Sequence, residues 1–124
     1  MLDASFLEAE DSDPHVSLAV GAVSIIEGPA PVYSELVSAF GERAQSIPRC
    51  TQKLHTLPFD LGAPGWVDDP HFDISHHVHH VALPGPGDDA ELFSMVAYIM
   101  EQRLDRERPL WECWVIEGLP EGRW

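Results

Sequence analysis

The densest run of chemically capable side chains is Ser75-His76-His77-Val78-His79-His80, with His71 and His55 nearby. Imidazoles bind metals, and near neutral pH they also carry protons. On a strand, side chains alternate, so His76, Val78 and His80 share one face while His77 and His79 share the other. Two imidazoles so spaced can share a zinc or nickel ion. A structural site nevertheless wants four ligands, and a catalytic one three plus water. No Cys, Asp or Glu occurs within 76–80, and Asp73 is the nearest acid. The competing reading is a partly packed strand whose histidines hydrogen-bond locally. That reading is preferred, and no metal site is expected.

A catalytic base is the second use of such a run. A histidine pair followed after three residues by Asp-Gly is an acyltransferase signature, but no Asp-Gly follows His76-His77. The chain also lacks a G-x-S-x-G nucleophile elbow, a P-loop and a dinucleotide fingerprint. Cys50 and Cys113 have no obvious activating neighbour and read as reduced thiols. Asp68 and Asp69 form a carboxylate pair, yet adjacent residues point apart and a solvated turn explains them better. Trp66, Trp111 and Trp114 either line an apolar channel or pack in the core. No residue of this chain is assigned as catalytic.

Composition narrows the partners. The 21 acidic residues against 7 basic ones give a formal charge of −14. Nucleic acid is therefore excluded as a natural partner, because phosphate binding draws on Lys and Arg. Anionic lipid is disfavoured for the same reason. The N-terminus carries early acid and no long apolar run, so it is not a signal peptide. No window approaches the roughly 20 apolar residues of a membrane span. At 124 residues the chain is at most one ordinary domain.

The elements that must position these groups follow from periodicity. Residues 3 to 14 read as a loop or short helical turn around Phe6 and Leu7. Val16 to Ile26 is a long apolar run closed by Glu27-Gly28-Pro29, which predicts a buried strand. Tyr33, Leu36, Val37, Phe40 and Ala44 recur at helical spacing and predict a helix from about 31 to 45, ended by Ile47-Pro48. Short strands are expected at Gln52–Leu57 and Gly65–Asp68, and a longer one from Phe72 to Leu83. Asp88 or Asp89 caps a second helix. Its apolar stripe is Phe93, Val96, Ala97, Met100 and Leu104, widened by Leu92, Met95 and Ile99. Arg103 and Arg106 fall where cations suit the dipole of that helix. Residues 108–119 read as a strand covered on both faces, with Leu110, Trp114 and Ile116 opposite Trp111, Cys113 and Val115. Arg123 and Trp124 look like the opening of a returning strand. The order implies an α/β class fold, an α+β two-layer sandwich with helices packed on a mixed sheet.

Four blocks together resemble the bacterial wax ester synthase/diacylglycerol acyltransferase family, of the mycobacterial triacylglycerol-synthase type. They are Leu2-Asp3-Ala4-Ser5-Phe6-Leu7; Trp66-Val67-Asp68-Asp69-Pro70 with Phe72-Asp73; His77-Val78 through Ala82-Leu83-Pro84 with Pro86-Gly87; and Arg108-Pro109-Leu110-Trp111-Glu112 with Val115-Ile116-Glu117-Gly118-Leu119. His79 departs from the family's usual arginine, and Lys53 stands in a stretch normally richer in arginine. The resemblance implies a chloramphenicol-acetyltransferase-like fold, of which residues 1–124 are an incomplete N-terminal part. It places the family's H-H-x-x-x-D-G motif beyond Trp124. The second histidine of that motif would act as general base on the hydroxyl of diacylglycerol or a fatty alcohol, which attacks acyl-CoA directly.

The resemblance further implies acyl-CoA as co-substrate, no cofactor, and the remainder of the acyltransferase chain as partner. It places the protein in the cytoplasm, at the periphery of a membrane or lipid inclusion. Pro109, Leu110 and Trp111 are the positional candidates for substrate binding. Their alternative role is to fix the strand that presents the catalytic loop. Other functions consistent with the residues are a short non-catalytic relative that binds lipid or a partner chain, and a His-rich metal-binding module.

Overall fold

The computed structural model describes residues 2–60, 62 and 64–124; Met1, Leu61 and Ala63 lie outside it, as do the side chains of residues 2–4 and 60. Three helices and four strands make up an α/β mixed fold: α1 (Leu2–Ser12), α2 (Tyr33–Gln45), β1 (Gln52–His55), β2 (Gly65–Asp68), β3 (Val78–Ala82), α3 (Asp89–Glu101) and β4 (Cys113–Glu117). β1 and β2 pair antiparallel, while β3 and β4 pair in parallel, Val78 opposite Cys113 and Ala82 opposite Glu117. In place of the one mixed sheet expected, the described strands form two separate two-stranded sheets, one antiparallel and one parallel. Parallel strands need a crossover connection, and α3 is that connection.

Local chemistry explains each boundary. The Asp88 carboxylate accepts from the Glu91 N–H at 3.0 Å, satisfying an orphan donor of the first turn of α3. Asp89 and Glu91 add negative charge at the positive end of the helix. α2 begins at Tyr33, two residues later than expected, because Val32 is still extended. Asp73 caps a short 3-10 turn at Ile74–His76, which shortens the strand expected from Phe72 to Leu83 to Val78–Ala82. At the foot of the parallel pair, Gly87 has φ +70°, and a Cβ there would sit 1.8 Å from the Gly118 oxygen. No other residue fits that approach.

The core lies between α3 and the parallel pair. Leu83, Leu92 and Leu119 are buried together, with Met95, Val96 and Ile116 packed against them. Val78 is fully buried and Val115 nearly so. The stripe on α3 is rotated from the one expected: Leu92 is its buried residue, while Phe93 is 67% exposed. Periodicity gives the width of an apolar face but not its centre when both flanks are apolar.

Three further differences follow from tertiary partners. Residues 3–14, expected as loop or turn, lie almost wholly within the helix α1. Arg106 explains why: it binds Asp11 Oδ1 at 2.7 Å, Glu10 Oε2 at 3.3 Å and the Leu7 carbonyl at 3.2 Å. Arg103 reaches the carbonyls of Glu10 and Asp13. Both cations therefore serve the C-terminal end of α1 and not the dipole of α3, whose last turn holds no base. Finally, Val16–Ile26 is extended but is not a strand within a sheet. Its ladder is limited to Ile26, which exchanges N–H···O bonds with Trp124 at 2.7 and 3.0 Å, beside a bridge of Glu27 with Arg123. Val20 is 95% exposed, so the buried strand expected there is corrected: a strand forms only where a second backbone supplies its partners. No helix among the described residues is long and apolar enough to cross a membrane.

Candidate functional site

An open cleft of about 750 Å³ lies among the apolar elements. One wall is the extended run from Ala19 to Ile26, and the opposite wall is the segment Leu110–Ile116. Leu36 and Phe40 of α2, and Val96, Ile99 and Met100 of α3, close it between them. Trp124 stands on the first wall through its pairing with Ile26. The volume falls in the range of small-molecule sites, roughly 300–1,000 Å³, and the lining is predominantly apolar as such sites require. No histidine lines it among the described residues. Such a cleft can bury hydrocarbon at about 25 cal/mol per Å² removed from water.

Of the three positional candidates, Leu110 and Trp111 line this cleft, whereas Pro109 is buried behind it. Trp111 is held from three directions. Its indole Nε1–H donates to the Cys50 carbonyl at 2.8 Å, its carbonyl accepts from His77 Nδ1 at 2.8 Å, and its ring stacks on His77 with centroids 4.6 Å apart. Its N–H donates to the Pro109 carbonyl at 3.0 Å. Trp114 also lines the cleft, its Nε1–H donating to Glu112 Oε2 at 3.0 Å. Trp66 does not; the Arg49 guanidinium lies 4.2 Å over its ring, away from the cleft wall. The three tryptophans thus divide between cleft and surface.

The histidine run is spread over separate environments. His77 is 2% exposed and sandwiched between Phe72 and Trp111. His79 lies against Trp114 with centroids 4.4 Å apart; its Nε2 is 3.7 Å from Glu112, too far for a hydrogen bond, and is buried without a partner. His80 Nε2 meets Glu117 Oε2 at 2.8 Å and stacks on Tyr33. Among the described residues no three His, Cys, Asp or Glu side chains converge to hold a metal. Burial pushes the Cys113 thiol above its ordinary value of 9.0, so it is a protonated wall group and a poor nucleophile at neutral pH. Asp73 is held below the usual 3.8 by the hydroxyl and then the N–H of Ser75, away from the cleft.

Sequence reasoning missed the wall from Ala19 to Ile26, the contribution of Phe40, and the α3 residues that face the cleft. The signal was present as apolar runs, but which of them enclose common space depends on packing.

With this geometry in hand, comparison with known proteins is consistent along the whole chain. The family model described as wax ester synthase/diacylglycerol acyltransferase catalytic domain matches residues 1–124. The probable diacylglycerol O-acyltransferase tgs1 of Mycobacterium tuberculosis is 55% identical over 123 residues, 99% of this chain and 27% of that protein. The probable diacylglycerol O-acyltransferase tgs3 of the same organism is 37% identical over 98% of this chain and 45% of its own length. A solved structure of a wax ester synthase/diacylglycerol acyltransferase from Marinobacter aquaeolei VT8 superimposes with a TM-score of 0.58 at 34% identity, covering 80% of this chain and 24% of that one. The chain spans about a quarter of the length of the tgs1 and Marinobacter proteins. A family match that runs from the first residue to the last, with relatives similar over nearly the whole chain, shows that this chain belongs to the wax ester synthase/diacylglycerol acyltransferase catalytic domain family.

Proposed function

We propose that residues 1–124 are the N-terminal part of one acyl-CoA-dependent O-acyltransferase domain that esterifies diacylglycerol or a long-chain alcohol. The observation that carries this reading is the cleft itself: an apolar trough lined by Leu110 and Trp111, with no histidine on its wall among the described residues. Such a wall suits an acyl chain and offers no base. Glu112 is engaged by the Trp114 indole and Cys113 stays protonated. The base is then contributed by an H-H-x-x-x-D-G motif of the longer polypeptide, which this sequence does not contain.

In that reaction the base takes the hydroxyl proton of the acceptor, whose oxygen attacks the thioester carbonyl. The C–S bond breaks as the C–O bond forms, and the proton returns to the sulfur of the departing CoA. Leu110 and Trp111 contribute by holding the acyl or acceptor hydrocarbon beside the reacting carbonyl, and Pro109 by fixing their backbone. Positioning of this kind is worth several orders of magnitude in effective concentration. The neutral acceptor and the hydrocarbon of the acyl chain suit a segment of charge −14 working at the edge of a membrane or lipid inclusion through apolar contact.

The test is a turnover assay with acyl-CoA and diacylglycerol, run on the full-length protein and on residues 1–124. The full-length protein is expected to form triacylglycerol and the 124-residue chain none. Turnover by the short chain alone would mean that a base within it had been misplaced. Acyl binding by the full-length protein without ester formation would favour a non-catalytic lipid-binding relative.

A further inference from the structure

His77 is the most buried polar residue described, and the acyltransfer chemistry proposed above makes no use of it. It grips the cleft wall twice. Its main-chain carbonyl accepts from the Cys113 N–H at 2.7 Å, and its side-chain Nδ1 lies 2.8 Å from the Trp111 carbonyl. A carbonyl only accepts, so Nδ1 carries the proton of this bond. The imidazole is also clamped between Phe72, with centroids 5.3 Å apart, and Trp111, 4.6 Å apart. A single residue thus sets both the register and the tilt of residues 111 to 113. Trp111, Glu112 and Cys113 all line the cleft, whereas His77 does not. Its influence on anything bound there passes through Trp111.

We propose that His77 is a positioning residue for the acyl chain: its Nδ1–H bond to the Trp111 carbonyl holds the indole at the depth that sets which chain lengths the cleft accepts. This rests on the acyltransferase reading. Removing the bond frees the Trp111 backbone to shift about the indole's remaining tie to the Cys50 carbonyl, so the depth of the indole changes and the reacting groups do not.

The experiment uses the full-length enzyme and four forms of it: wild type, His77→Phe, His77→Asn and His77→Gln. Phenylalanine keeps the ring sandwich and loses the donor. Asparagine loses the ring but places an N–H close to the Nδ1 position, and glutamine sends its amide toward the Nε2 side. KM and kcat are measured for short, medium and long saturated acyl-CoAs with one acceptor, and folding is followed by thermal melting. A lost hydrogen bond of ordinary strength corresponds to about a two- to tenfold change. The expectation is that His77→Phe raises KM for the preferred chain length by that factor and moves the preference, with kcat nearly unchanged. His77→Asn recovers the wild-type profile better than His77→Gln.

A chain-length profile identical to wild type in folded His77→Phe overturns the proposal. So does an equal loss of kcat at every length in all three variants, which is the mark of a merely structural residue. Should His77→Phe fail to fold, the Asn-against-Gln comparison decides. Should the wild type show no acyl transfer, the acyltransferase reading fails by itself. Binding of a fluorescent fatty acyl probe to wild type and His77→Asn or His77→Gln then tests the positioning role, with equal affinities for all chain lengths refuting it.

Discussion

Two stretches of apolar chain wall the cleft, and they are held in different ways. Residues 110–116 lead into and form most of β4 of the parallel pair, carry a fully bonded tryptophan and rest on a buried histidine. Residues 19–26 have a strand's composition but pair with other backbone only at Ile26, and they leave Val20 in water. Apolar character makes a segment suitable for burial. It is the neighbouring backbone that turns it into an ordered wall, since each unpaired N–H and C=O must otherwise stay with water. The first wall can therefore define a shape, and the second can adapt to whatever lies against it.

The sharpest way to break that comparison is to make the same substitution on both walls. Val115→Ala, at a buried position, is expected to cost about 1–3 kcal/mol in urea unfolding, through lost transfer energy and a residual cavity. Val20→Ala should stay within about 0.5 kcal/mol, as exposed substitutions do. Equal costs would show that the run from Val16 to Ile26 is packed after all.

A smaller effect concerns the tether at the other end of the chain. Arg106→Ala removes two ion pairs and a carbonyl contact to α1 in a partly exposed setting, and about 1 kcal/mol of stability should go with them. The readout that sharpens the comparison is amide exchange. Protection in α1 should drop while β3 and β4 keep theirs. A uniform loss across the molecule would instead make α1 part of the core.

The smallest effect is at Asp73, which caps the turn just before β3. Its carboxyl is held low first by the Ser75 hydroxyl and then by the Ser75 N–H. A depressed folded value means that the contribution to stability is complete above about 3.8 and fades as pH falls through the lower, folded value. Ser75→Ala should move the Asp73 titration, followed by NMR, upward toward the ordinary value, and it should leave stability at neutral pH close to wild type. An unmoved titration would assign the shift to the backbone bond alone.

Much of this was legible from local pattern. The cap at Asp88, the helix over residues 33–45 and the strands beginning at Gln52 and Gly65 follow from interactions within a few residues, which any sequence displays. Leu110 and Trp111 were singled out through family resemblance, and the structure sets both on the cleft. It also shows that Pro109 supports them from behind. The rotated face of α3 and the reach of Arg103 and Arg106 to α1 were not legible. The face of α3 is set by Leu83 and Leu119 of other elements, and the arginines reach partners about 90 residues away, for which a single sequence carries no mark.

By itself, the order of residues determined two of the helices and the cap of the second, that the chain is acidic and ill suited to nucleic acid, and that no H-H-x-x-x-D-G motif lies within these positions. Only the tertiary structure decided which apolar runs share a cavity, that a buried imidazole grips the tryptophan wall, and that one strand-like run lacks partners. The reason is range. Propensity and capping act between near neighbours, whereas burial, stacking and ladder pairing are settled by segments that meet only after the chain has folded.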